Sequence, residues 1–232
     1  MSRLSPAQQH RQRVLSVKAA EQSTHGGVVS GSAYELMLIK LATDRQQLKS
    51  IQSIQRKIEL KRELVAGYQD WLDAAISKGN GAQDMIVSTL LVWHIDIGDF
   101  QRALQIAYYM MQHDMPLPDQ YNRNLATLML DEIPDAYIKA EKIDADAVNV
   151  LKTVDFLTAD KDAPDQARAK LHKALAYAYV QPLGEEDLLP EQVEQAQLAL
   201  TEFNKALALF ESIGVKKDIE RLERRLKKAT QG

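Results

Sequence analysis

Asp96 and Asp99 flank Gly98, Asp131 and Glu132 precede Asp135, and Asp160, Asp162 and Asp165 crowd a short stretch. Carboxylates so spaced could hold two divalent ions, and a two-metal site cleaves phosphodiesters by stabilising both the attacking and the leaving oxygen. Each cluster, however, falls where a helix is expected to start or stop, and there Asp caps free amides and complements the helix dipole. We read all three as caps. The five histidines, at 10, 25, 94, 113 and 172, never lie three or four apart, so no helix presents a His pair to a metal. "DADAVN" at 144–149 imitates the start of a calcium loop but lacks its Gly and closing Glu. Neither a phosphate-binding P-loop nor a Gly-rich dinucleotide turn is present. The absence of Cys removes thiolate catalysis, Cys-based zinc sites and iron–sulfur clusters, and fits a reducing compartment. The sequence reads as non-enzymatic, with no catalytic residue, no metal and no cofactor.

Charge carries the stronger signal. Across 232 residues the net charge is -3, yet residues 1–62 hold eleven Lys/Arg against four Asp/Glu and residues 214–232 hold seven against three. Net charges of +7 and +4 at the ends leave -14 between them. Such segregation suits a molecule whose ends seek a polyanion while its body repels one. The candidates at the first end are Arg3, Arg11, Arg13 and Lys18. At the other, Lys216, Lys217, Arg221, Arg224, Arg225, Lys227 and Lys228 surround an apolar line of Val215, Ile219, Leu222 and Leu226 at helical spacing. A helix of this kind docks its apolar side and offers its basic side to phosphates. The i,i+4 pairs Glu220–Arg224 and Glu223–Lys227 would equally serve only to stabilise it.

The elements that must position these charges are all helical, since no period-two run persists anywhere. Ser5-Pro6-Ala7-Gln8 predicts a helix start, with a capping Ser, Pro at the first position and Gln closing a capping box. That basic N-terminal helix and a flexible linker, "QSTHGGVVSG", make up residues 1–31. Ser32 and Glu35 predict a second capping box, opening one long helix over 32–66 whose stripe of Tyr34, Met37, Leu41, Leu48, Ile51 and Ile58 is suited to oligomerisation. Residues 67–213 form a body of helical hairpins, bent or broken near Pro134, and 214–232 are the basic C-terminal helix. "GDFQRALQIAYYMMQHD" and "ALTEFNKALALFESIG" share the Ala and aromatic spacing of tetratricopeptide-type pairs. Trp71, Trp93, Phe100, Tyr108, Tyr109, Phe203 and Phe210 are assigned to the core. The first residues lack the apolar segment of a signal peptide, and no stretch approaches the roughly 18 apolar residues of a membrane span.

"YELMLIKLATDRQQLKSI", then "KRELVAGYQDWLDAAISKGNGAQDMIVSTLLVWHIDIGDFQRALQIAYYMMQHDMPLP", "RAKLHKALA" and "GVKKDIERLERRLKK", in that order and spacing, resemble the small terminase subunit of P-two-type temperate tailed phages, the gpM family. The resemblance implies a protein of the host cytoplasm that binds double-stranded phage DNA at the cohesive-end packaging site. It also implies a homo-oligomeric ring that delivers DNA to a large terminase subunit bearing ATPase and nuclease, with no contact to a membrane. The family is commonly labelled "terminase, endonuclease subunit", a label we apply to the holoenzyme. By analogy with small terminases generally, the N-terminal segment is the favoured DNA contact. The alternative is a helical-repeat scaffold that binds a peptide of the large subunit without touching DNA.

Overall fold

A computed structural model describes residues 5–22, 24–118 and 122–231, with side chains through Thr230. Among them every regular element is helical, apart from one isolated parallel bridge between Val28 and Gln83. Among the described residues no helix is long and apolar enough to cross a membrane. The chain divides between Asn122 and Arg123 into two compact units.

The first unit contains α1 (Pro6–Gln22), α2 (Ser32–Ser50), α3 (Ile54–Val65), a 3-10 turn (Ala66–Tyr68), α4 (Gln69–Lys78), α5 (Met85–Asp96) and α6 (Phe100–Gln112). Its centre is α5, where every residue from Ile86 to Ile95 is buried. A helix apolar on all sides must be wrapped by neighbours, and α5 packs against α6, α2 and α3. The predicted Asp99 cap forms, its Oδ1 accepting from the amide of Arg102, and α5 has an unanticipated one in Asp84, whose Oδ1 accepts from the amides of Ile86 and Val87. The Ser5–Gln8 box also closes, with Ser5 N donating to Gln8 Oε1 at 2.8 Å and Gln8 N to Ser5 Oγ at 3.3 Å.

Four expectations for this unit are corrected. The long helix is two, because α2 stops at Ser50 and Ser53 caps α3 by accepting from the Arg56 amide. Gly31, at φ +106°, stands where Ser32 was expected to cap α2, and Ser32 is the first helical residue. The described part of the linker is anchored: Gln83 N donates to Gly27 O, Val29 N donates to Gln83 O, and Val29 is buried. Tyr108 is 48% exposed, its hydroxyl accepting from Gln112, while Trp71, Trp93 and Tyr109 are buried and Phe100 is half-buried.

The second unit contains α7 (Leu125–Lys139), α8 (Ala147–Thr158), α9 (Asp165–Val180), α10 (Val193–Leu209) and α11 (Lys216–Gln231), with 3-10 turns at Gln181–Leu183, Pro190–Gln192 and Glu211–Ile213. Asp119, expected to cap α7, lies outside the described residues, and Asn124 caps it instead through the Thr127 amide. The helix runs through Pro134 without a break. A proline inside a helix costs about 3 kcal/mol, but Pro134 is buried with Leu130 and Ile133, and burying side chains of that size returns about 1.5–3 kcal/mol each. Central α9 packs against α7, α8 and α10. Ala176 on α9 and Ala196, Ala199 and Ala206 on α10 are completely buried, and small residues let two backbones approach closely. Phe203 fills the remaining space, edge-on to Tyr177 at 5.4 Å, whereas Phe210 is only half-buried.

Candidate functional site

The C-terminal helix docks as its periodicity predicts, with Val215, Ile219, Leu222 and Leu226 all buried. Its cations divide into two ridges. Arg221, Arg225 and Lys228 recur at one-turn spacing and meet the 183–187 loop. Arg221 Nη2 lies 3.4 Å from Glu185 Oε1, Arg225 Nη2 donates to the carbonyls of Leu183 and Glu186, and Lys228 Nζ lies 2.5 Å from Asp187. Lys216 pairs with Glu211 at 2.9 Å and thereby holds that carboxyl below its usual range. Lys217, Arg224 and Lys227 occupy the other ridge, exposed and with no carboxylate partner among the described residues. The anticipated Glu220–Arg224 pairing is replaced by a bond from Arg224 Nε to the Glu220 carbonyl at 3.2 Å. Exposed ion pairs contribute only about 0–1 kcal/mol each, so those of the first ridge are readily exchanged.

At the other end, Arg3 lies outside the described residues. Arg11, Arg13 and Lys18 project from α1 into solvent with no acidic partner among the described residues. This helix buries little beyond Ser16, Ala19 and Ala20 and packs mainly on α4. Gln12 Nε2 adds a 3.3 Å bond to the carbonyl of Gly67.

Two of the three carboxylate clusters are engaged by basic side chains. Asp96 holds Lys61 at 2.5 Å, and Asp99 caps α6 while its second oxygen meets His94 Nδ1. Burial keeps that histidine's pKa below the ordinary value, although Asp99 pulls the other way. Asp131, Glu132 and Asp135 were expected to be caps but lie inside α7. There Asp131 receives Arg123 and Lys170, Glu132 receives Arg123, and Asp135 receives Lys139. Among the described residues no group of three metal-ligating side chains converges.

The stripe assigned to oligomerisation faces inward. Tyr34, Met37, Leu41 and Leu48 are buried in their own unit, and Ile51 and Ile58 are half-buried. Asp44, which interrupts the stripe, accepts from Tyr68 Oη at 2.5 Å and Lys40 Nζ at 2.6 Å. Burial and then the Asp44 carboxylate push the Tyr68 hydroxyl far above its usual pKa, fixing it as the donor. Leu36 and Ile39 are the large apolar side chains that α2 leaves exposed. The 183–187 loop went unnoticed in the sequence because it lies roughly forty positions from the helix it meets.

The family model for the phage small terminase subunit matches residues 38–166. "Terminase, endonuclease subunit" of Escherichia phage P2 is 35% identical over 224 residues, covering 96% of this chain and 86% of the relative. No solved structure matches.

Proposed function

The chain belongs to the phage small terminase subunit family, and on that premise we propose that it is the DNA-recognition component of a packaging motor. It acts in the host cytoplasm, binds the cohesive-end site of double-stranded phage DNA, assembles into a ring and delivers the site to the large ATPase and nuclease subunit. Family membership supports the packaging role. The observation that carries DNA contact is the outward ridge of Lys217, Arg224 and Lys227, which have no acidic partner among the described residues. Ring formation multiplies that small charge by the number of copies. With the α2 stripe spent inside the unit, Leu36 and Ile39 are what α2 has left to offer a second copy. The word endonuclease in the P2 relative's name we assign to the holoenzyme, because Asp96 and Asp99 are engaged by Lys61 and His94, and Asp131, Glu132 and Asp135 by Arg123, Lys170 and Lys139.

Replacing Lys217, Arg224 and Lys227 together with Gln tests this reading and leaves the docked face of α11 untouched. Every phosphate that is no longer neutralised takes about 0.9 off the slope of log affinity against log salt. For every protomer engaged the slope therefore shrinks by about 2.7, and affinity for a packaging-site duplex near 0.15 M salt falls about tenfold or more. Retention and slope equal to wild type would reject the ridge. If wild type retains no duplex at low salt, the scaffold reading replaces the DNA one.

A further inference from the structure

A second uncommitted positive surface of the first unit, besides that of α1, lies where α2 gives way to α3. From Arg45 to Arg62 the sequence "RQQLKSIQSIQRKIELKR" contains six basic residues and a single acid, Glu59. Two of the cations are spent within the fold: Lys61 pairs with Asp96, and Arg62 Nη2 donates to the Ile97 carbonyl. Lys49 in the last turn of α2 and Arg56 and Lys57 in the first turns of α3 have no acidic partner among the described residues. A three-residue break at Ile51-Gln52-Ser53, with Ile51 and Ser53 extended, separates the two helices, so cations from both flank one short connection. That connection is uncovered: Lys49 and Arg56 are exposed, and Ile54 at the start of α3 is 74% exposed with nothing packed over it.

We propose that the α2–α3 elbow is a docking surface for the phosphate backbone of duplex DNA, with Lys49, Arg56 and Lys57 as its contacts. The inference rests on the DNA reading above and adds to it a second site, on the other unit. Three such cations beside one short connection gain more from phosphates than from solvent, because each neutralised phosphate releases a condensed counterion. Contacts of this kind set register on the duplex rather than read its sequence. The elbow also lies inside residues 38–166, the stretch matched by the family model, whereas α1 and α11 lie outside it.

The test is the full-length triple variant Lys49→Gln, Arg56→Gln, Lys57→Gln against a packaging-site duplex and a scrambled duplex of equal length. Gln at position 56 completes a capping box with Ser53, so α3 is retained, and unchanged helical content and assembly mass verify this. The expected result is a salt slope smaller by about 2.7 per engaged protomer, with an affinity loss of about tenfold or more that is equal for both duplexes. A slope equal to wild type, with wild type binding normally, overturns the elbow and leaves the DNA reading standing. Failure of wild type to retain either duplex overturns both. A fall in assembly mass with DNA retention unchanged assigns the elbow to the acidic body of a neighbouring copy and also overturns the proposal.

Discussion

Asp84→Ala destabilises the N-terminal unit by about 2–5 kcal/mol, the combined effect of losing a helix cap and orphaning a buried indole. One carboxylate oxygen accepts from Ile86 N at 2.7 Å and Val87 N at 3.2 Å, while the other accepts from Trp71 Nε1 at 2.7 Å. Ala leaves these donors dry, since the side chain is only 6% exposed. Burial also pushes the Asp84 carboxyl up to about 6, with the Trp71, Val87 and Ile86 bonds opposing it. Between about pH 4 and 6 the folded unit therefore holds a proton that the unfolded chain has released, and stability falls as pH rises through that window. The gap between wild type and Asp84→Ala is accordingly wider at pH 4.5 than at pH 7. Both tryptophans, Trp71 and Trp93, belong to this unit, so urea unfolding followed by their fluorescence isolates the effect. Midpoints that coincide at both pH values would contradict it.

Phe203→Ala lowers the stability of the C-terminal unit by about 3–5 kcal/mol, near the top of that range. The ring is 1% exposed and sits where α9 and α10 approach closely. Its surroundings include Ala176, Ala196 and Ala199, which have no atoms to move into the vacated space, so the cavity stays open. Tyr177 loses an edge-on partner as well, and such ring pairs contribute about 0.5–1.5 kcal/mol. Because this unit has no Trp, its transition is followed by far-UV circular dichroism. A loss under about 1 kcal/mol would mean that the helix pair closes over the gap.

How far the sequence could be read differs from element to element for physical reasons. Local chemistry was legible: Asp99 caps as its position predicts, Ser5 and Gln8 close their box, and α11 buries the four apolar residues that its period selects. The division of α2 from α3 was not, because Ile51-Gln52-Ser53 contains neither Gly nor Pro, and only the placement of Ser53 beneath the Arg56 amide reveals the stop. Periodicity likewise shows which residues turn inward without showing against what. The spacing of Tyr34, Met37, Leu41 and Leu48 suits a partner helix in the same chain or in a second copy equally, and their own unit buries them. The same break separates Lys49 from Arg56 and Lys57, whereas on one continuous rod these cations are an ordinary solvated face. Counting charge by segment identified α11 correctly as a basic helix but could not divide it. Arg221, Arg225 and Lys228 are held by a loop distant in sequence, and this leaves Lys217, Arg224 and Lys227 to act outward.

Pooling of weak cationic patches on DNA by an assembly of copies is tested most directly by the mass of the full-length chain in solution, alone and with a packaging-site duplex. The account predicts several copies per particle, and a DNA-bound particle at moderate salt that dissociates from the duplex as salt rises. A strict monomer under both conditions, with no duplex retained, would contradict it.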